Sequence, residues 1–507
     1  MPARGCDQTA MKKAVMVAAG VFALVTAVVM VRTVGLDSAQ VKVPRLEMEV
    51  DAAAVATRMG EAVRFRTVSN LDTGKVAWGE FKRLHAWMQT SWPAVHAAMQ
   101  RETVGGYSLL YHVQGSDPAL APVLFMAHQD VVPVEPGTEG DWVRPPFAGD
   151  IAPCGDIEGD CVWGRGTLDV KSSMVGLMEA AERMFARGWQ PQRTVYFFFG
   201  HDEEVGGGAG ARAGAGLLED RGVRLAWVLD EGLVVTDGMV EGLDQPVAMI
   251  GTAEKGYLSL ELVATDEGGH SSMPPLHTAA GRVARAVTSL EADQFPGALD
   301  GAAGQMFAAL APHLPLGRRA AMANLWLAEP LVVRSLEGNP LTAAFVRTTT
   351  AATMLEGSVK ENVLPQRAVA VVNFRVHPRD SVDSVTERVR RVIDDDDVEV
   401  RPVPGGMLSE PSPVSSTGAA GYLLLERSIK AVWPQVLVAP GIVVGATDSR
   451  HFAGVADNVY RFIPFWMRPG DRSRVHGTNE RVTVDNLADF VRFYSAVLGG
   501  VGESAGG

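Results

Sequence analysis

The chain has 507 residues, 47% of them hydrophobic, which allows two domains with separate cores and argues against disorder. Its 46 Lys+Arg against 59 Asp+Glu give a formal net charge of -13, which disfavours nucleic acid or an anionic membrane surface as a partner. Three cysteines, Cys6, Cys154 and Cys161, are too few for a disulfide scaffold and lack zinc-finger spacing.

At the amino terminus, Ala14 to Val31 is an uncharged apolar run of 18 residues, preceded by Lys12-Lys13 and followed by Arg32. At about 1.5 Å per residue it just crosses a hydrocarbon core of roughly 30 Å, and the upstream Arg4, Lys12 and Lys13 favour a cytoplasmic start. A buried core helix is the plainer alternative, but the flanking charges and terminal position follow the export pattern. Residues 1–32 are therefore expected to be a signal anchor or signal peptide. No clean A-x-A site follows the run, so an anchor is favoured, with the body membrane-anchored and extracytoplasmic. Cleavage would make it secreted or periplasmic.

After a linker at 33–47, "DAAAVATRMGEAVRF" has helical periodicity, and strand-like and helix-like segments then alternate. "PVLFMA" (122–127), "TVYFFF" (194–199) and "LAWVL" (225–229) read as short buried strands, with a helical "SSMVGLMEAAERMFARG" before the second. This is the pattern of an α/β fold with a mostly parallel, helix-covered sheet, in which ligands gather at the carboxyl ends of strands. Between "PVLFMA" and "TVYFFF", Cys154 and Cys161 flank the Gly/Asp turn "GDIEGD", a hairpin whose arms could be bridged in an oxidising compartment.

The pattern changes near residue 252. "GYLSLELVAT", "AAGRVARAVTSL", "RAVAVVNFRVHP", "SVTERVRRVI" and "VEVRPV" suggest a small antiparallel sheet with helices on one face, ending near 404, before the sheet pattern resumes with "GIVVGATDSRHF". The expected organisation is thus a catalytic domain in two parts, 48–251 and 405–507, with an inserted α+β, ferredoxin-like lid or dimerisation domain at 252–404. Within it, 297–345 is unusually apolar. "MFAALAPHL" and "ANLWLAEPLVV" offer more hydrophobic surface than a four-stranded sheet needs. They could pack internally, form a dimer contact, or line a groove for a long acyl chain, each buried methylene adding up to about 0.8 kcal/mol.

Each apolar strand of the large domain runs into metal-type ligands: His128-Gln129-Asp130, Asp202-Glu203-Glu204 and Asp230-Glu231, with Asp169 after a Gly-rich turn between the first two. Clustered buried acids repel and lose hydration, so a fold keeps them mainly where cations or protons are handled. Imidazole and carboxylate suit zinc, and one aspartate with an oxygen on each metal can hold two ions about 3.5–4 Å apart.

The motifs "HQDVVPV", "GRGTLDVK", "HDEEVGG", "VLDEG", "GHSSMPP", "NVLPQ", "GATDSRHF" and "RVHGTNERV" occur in the order expected of the M20 family of di-zinc metallopeptidases. "GTAEKGYLSLEL", "NPLTAAFVRTTTA" and "VYRFIPFWMRPGDRSRVHG" make the chain similar, more narrowly, to the carboxypeptidase S and PM20D1 branch. This resemblance covers roughly 48–500. It implies two Zn2+ ions, for which Co2+ or Mn2+ can substitute: His128 and Glu231 on one, Glu204 and His476 on the other, and Asp169 bridging. It also implies Glu203 as the general base, Asp130 as the hydrogen-bond partner that fixes the His128 tautomer, and Arg450, helped by Asn362, as the clamp for a substrate carboxylate. His270 would stabilise the oxyanion, sometimes across a dimer interface, although as a residue it could equally be an ordinary loop histidine. Asp202 is open between a supporting hydrogen bond and surface exposure.

The implied activity is hydrolysis of an amide beside a free carboxylate, in N-acyl or N-fatty-acyl amino acids or short peptides. The alternatives are a peptide carboxypeptidase or dipeptidase, and a non-catalytic binding protein that should have lost the base or a ligand. The expected partners are such a small substrate, the membrane through the N-terminal segment, and a second copy through the lid.

Overall fold

The computed structural model describes residues 8–502, so Arg4 and Cys6 lie outside the described residues. The chain opens with the helix Gln8–Val34, within which Met11–Val34 is long and apolar enough to cross a membrane and whose apolar window is not buried. The linker beyond it is extended. In it, the Gln40 side chain pairs with both backbone groups of Val438, at 2.7 Å each, on the edge strand of the main sheet.

That sheet has eight strands, in the order Gln100–Val104, Ser108–Val113, Val195–Gly200, Val123–His128, Trp227–Thr236, Val459–Met467, Val247–Glu254 and Leu437–Val443. Its centre is parallel, as the alternating pattern predicts. The sheet as a whole is mixed, because the hairpin Gln100–Val113 adds two antiparallel strands at one edge and Val247–Glu254 runs antiparallel to Val459–Met467. Val195–Gly200 is buried on both faces. Phe197 and Phe199 join the core under helices Ala52–Val63, Lys171–Phe185, Ala420–Val432 and Val484–Gly499, while Tyr196 and Phe198 join the core under Ala211–Asp220. This period of two explains why the strand reads as an unbroken apolar run.

A second sheet is four-stranded and antiparallel, ordered Thr349–Glu356, Arg367–Val376, Gly256–Thr265 and Val398–Pro402. With helices Ala279–Ala292 and Val382–Ile393 packed on it, the chain order is strand, helix, strand, strand, helix, strand, the ferredoxin-like arrangement.

The apolar stretch 297–345 forms four short helices, and its role differs from the acyl-groove expectation. Helix Gly301–Leu310 lies on the edge strand Leu437–Val443, where Met306 and Leu310 are buried with Val247, Leu437 and Ala439. These helices therefore cover one face of the last two strands, while Gln40 meets the free backbone edge at Val438. None of their residues lines the cleft described next. Cys154 and Cys161 are joined by a disulfide across the hairpin of Asp150–Pro153 and Asp160–Trp163.

Candidate metal centre and active site

His128 and the Asp202–Glu204 turn sit at the carboxyl ends of Val123–His128 and Val195–Gly200. Asp230 and Glu231 instead lie within Trp227–Thr236, which continues past the expected end at 229 but stops pairing with Val123–His128 at Leu229. His128 closes its strand and is 1% exposed. Its Nε2 lies 2.9 Å from Asp169 Oδ1 and 3.4 Å from Glu231 Oε1. The other oxygen of Asp169, Oδ2, lies 2.9 Å from His476 Nε2, which is also 3.2 Å from Glu204 Oε2. One aspartate thus faces two histidines, one through each oxygen. His128, Glu203 and Glu231 form one set of atoms close enough to share a cation, and His128, Asp169 and Glu204 form another.

The remaining acids of the strand-end motifs point into the protein. Asp130 accepts from Glu203 N at 3.2 Å and Glu204 N at 3.1 Å, so its carboxylate holds the turn carrying both glutamates. Its backbone oxygen lies 2.9 Å from His128 Nδ1, nearer than its Oδ1 at 3.5 Å, and accepts from the ring when Nδ1 is protonated. Asp202 accepts from Ala209 N and Gly210 N, and Asp230 accepts from Ser449 N. The Asp202 alternative resolves to a hydrogen-bonding role in a buried site. Gly207 (φ +65°) lets the turn close on Asp448, whose Oδ1 would sit 2.0 Å from any added Cβ.

The electrostatics suit a cation. Burial, reinforced by the charge of Asp169, pushes Glu231 up to about 8. Burial and Glu231 push Glu203 well above the ordinary carboxylate range. Burial opposes a charge on His128, yet Glu231, Asp130 and Asp169 hold its imidazole well above the usual histidine range. Hydrogen bonds to Asp169 and Glu204 raise His476 to about 10. Glu204 Oε1 is buried without a hydrogen-bond partner. Four acids crowded on two imidazoles in this way, with an orphaned Glu204 oxygen and the oxygen and nitrogen donors that divalent ions take, fit metal binding.

These groups line a cleft of about 490 Å³ that also presents Leu233, Tyr257, Arg375, Met407, Val443 and Arg450. Arg450 is held by two backbone carbonyls, Thr447 O at 3.0 Å and Gly206 O at 2.7 Å. His270 and Asn362 are elsewhere. Their segments are joined by Ser271 N to Asn362 O at 3.1 Å, and both line a separate cavity on the smaller domain. The structure therefore brings together His128, Asp169, Glu203, Glu204, Glu231, His476 and Arg450, braced by Asp130, but leaves His270 and Asn362 apart.

Two residues of the site escape a reading of the sequence. Arg375 enters the cleft from the four-stranded sheet, its guanidinium 4.6 Å from the centre of the Tyr257 ring and without an acid partner among the described residues. An arginine in an alternating strand gives no signal of this. Glu480 is fully buried and accepts from Arg165 Nη1 (2.8 Å), Gly166 N (3.0 Å), Leu168 N (2.7 Å) and Asp169 N (3.2 Å). Arg165 also donates to His476 O at 3.0 Å, so one ion pair ties the Asp169 turn to the His476 turn. In the sequence, Glu480 lies inside the motif "RVHGTNERV" with nothing to mark it apart from His476.

The model of the peptidase family M20/M25/M40 matches residues 124–499. The chain is 41% identical over 444 residues to N-fatty-acyl-amino acid synthase/hydrolase PM20D1.1 of Danio rerio, covering 86% of this chain and 84% of the relative. It is 37% identical to probable carboxypeptidase S-like 2 of Dictyostelium discoideum, covering 87% and 83%. Among solved structures, the M20 family metallo-carboxypeptidase Sso-CP2 from Sulfolobus solfataricus shares the fold, with a TM-score of 0.62 at 17% identity over 89% of this chain and 99% of that one. A site of paired histidines and carboxylates at these strand ends, a family match through the last helix, and relatives of this identity agree, and the chain belongs to the peptidase family M20/M25/M40.

Proposed function

We propose that this hydrolase uses two zinc ions to cleave an amide next to a free carboxylate, in N-acyl amino acids, including N-fatty-acyl ones, or short peptides. The observation that carries this is Asp169, with one oxygen 2.9 Å from each of two histidines. His128, Asp169 and Glu231 would hold one ion and His476, Asp169 and Glu204 the other. Bound there, such ions polarise the amide carbonyl and acidify a water.

The chain's own groups do the rest. Glu203 accepts the proton of the attacking water at its carboxylate and passes it to the departing amine nitrogen. Asp130 keeps Glu203 and Glu204 in register through their amide N–H groups. Arg450, together with Arg375 on the opposite wall, binds the substrate carboxylate, where a planar fork suits a planar anion. Leu233, Met407 and Val443 offer the acyl group an apolar wall. His270 and Asn362 would join the site when the lid closes, or from a second copy.

The same reading assigns 48–251 with 405–507 to the catalytic domain and 252–404 to the lid, with 297–345 fastened to the catalytic sheet. It takes residues 1–32 as an anchor and the body as extracytoplasmic, which the Cys154–Cys161 disulfide supports.

The test is a hydrolysis screen of the zinc-loaded protein across acyl length and carboxyl-side residue. Rates should rise with acyl length over several carbons. A flat response with good turnover of dipeptides would move the assignment to a peptide carboxypeptidase, and no turnover of either class would leave a binding protein.

A further inference from the structure

The N-terminal helix touches the body near its carboxyl end. Helix Leu316–Ala323 packs against it, and helix Leu325–Glu337 follows directly. Between the two, Asn324 is 2% exposed and directs its Nδ2 at Val29 O and Thr33 Oγ1, both at 3.3 Å. Arg319 donates to Val34 O at 3.2 Å and to Leu36 O at 2.8 Å. Val29 and Thr33 lie five residues and one residue before the helix end at Val34, so Asn324 meets the apolar helix within about 7.5 Å of that end. Interfacial helices lie roughly 5–10 Å into the boundary between headgroups and acyl chains. Helix Leu325–Glu337, which follows Asn324 at once, therefore starts beside that end.

Helix Leu325–Glu337 buries no residue. Trp326 (53% exposed), Leu327 (55%) and Leu331 (74%) are open, and with Pro330 and Arg334 their spacing puts them on one face. Trp326 Nε1 is held 3.2 Å from Asn324 Oδ1, the residue that also touches the apolar helix. Leu316, 74% exposed, lies on the preceding helix. From Leu316 to Glu337 the chain carries Arg318, Arg319 and Arg334 against Glu329 and Glu337, three minus two or +1, in a protein of net charge -13. Tryptophan, exposed leucines and arginines able to snorkel are the composition of a helix at a membrane surface, and the same face in water would be an association hazard.

We propose that helix Leu325–Glu337 is a second membrane contact, lying in the surface of the bilayer that the N-terminal helix crosses. Trp326, Leu327 and Leu331 enter the acyl boundary and Arg334 reaches lipid phosphates. The proposal rests on reading Met11–Val34 as a span, and its occupant is the extracytoplasmic leaflet. The body is then fixed on the membrane at two points and does not swing on the linker.

The test uses the full chain with Cys6→Ser, reconstituted in nanodiscs of phosphatidylcholine and phosphatidylglycerol. Nitroxide labels are placed one at a time at Leu327→Cys and Leu331→Cys, with Val21→Cys as a reporter of the span. Accessibility to oxygen and to a water-soluble nickel chelate is read by electron paramagnetic resonance. All three labels should be more accessible to oxygen than to nickel, with the Val21 label deepest. A lipid-exposed Val21 label with water-exposed labels at 327 and 331 overturns the proposal and leaves the span standing. If all three sites read as water, both readings fall. Labels at 327 and 331 shielded from both reagents and broadened by each other across molecules would give this face to a second copy, which also overturns the proposal.

Discussion

Glu480→Gln is expected to cost the protein metal before it costs the fold. In the wild type, Glu480 Oε1 accepts from Leu168 N and Asp169 N, and Oε2 accepts from Arg165 Nη1 and Gly166 N. With glutamine, one oxygen still serves Leu168 and Asp169, but the amide nitrogen must face two donors. Two hydrogen bonds are lost, one of them to a guanidinium that is 2% exposed and now has no counter-charge. Breaking one side of a buried ion pair costs roughly 3–5 kcal/mol, and retention of the other oxygen puts this variant near the lower end, about 3 kcal/mol. Because the strain falls on the turn ending at Asp169, and through Arg165 on His476, both metal positions should loosen. Groups that orient metal ligands typically contribute 10–100-fold in affinity. The assay is competition for zinc against a chelator of known strength, alongside circular dichroism of the metal-free protein. We expect zinc affinity to fall by about 10–100-fold with the spectrum intact. An affinity indistinguishable from wild type would mean that the turn is held by its own backbone, and the argument from Glu480 would be wrong.

Glu203→Gln should keep both metals and lose at least about 10²-fold in rate, whereas Asp169→Ala should empty the site; loss of zinc from Glu203→Gln would make this residue a ligand, as its closeness to His128 and Glu231 permits. Arg375→Ala and Arg450→Ala should each raise KM for carboxylate substrates and reduce the preference for them over their amides. An unchanged preference in Arg375→Ala would restrict the clamp to Arg450. Lys255 is buried at the junction of the two sheets, donating to Ala344 O and Arg347 O, and burial lowers it from 10.5 to about 7. Between these values the unfolded chain binds a proton that the folded one lacks, so this residue's contribution makes stability rise with pH from about 7 to 10. In metal-free protein, Lys255→Met should flatten that slope in urea midpoints, and an unaltered slope would show that Lys255 stays charged.

Much of this was legible in the residues, and the gaps have physical causes. Strand ends were visible because apolar runs such as "VYFFF" stop at acids, and the two sheets because their periodicities differ. The antiparallel additions at the edges were not, since register and pairing direction leave no mark in a buried run. Four acids facing the cleft and three facing inward carry the same side-chain chemistry. Only the backbone N–H groups received by Asp130, Asp202 and Asp230 separate them.

The apolar stretch 297–345 is the sharper case. Its hydrophobicity is real, but composition does not say which surface it answers. Met306 and Leu310 answer the sheet face of Val247, Leu437 and Ala439, while Trp326, Leu327 and Leu331 stay exposed among the described residues. The same segment therefore carries two patterns at once, core-forming in its first helix and outward-facing in its third. Asn324, between them, is buried under the N-terminal helix, donating to Val29 O and Thr33 Oγ1. Trp326, Leu327 and Leu331 are open whether or not that helix is present, so a body lacking residues 1–36 should bind an apolar dye at this face, and Trp326→Ser with Leu331→Ser should reduce the binding. Addition of lipid vesicles should suppress the binding, and dye binding that neither the substitutions nor the vesicles change would show that this face is not the apolar surface in solution.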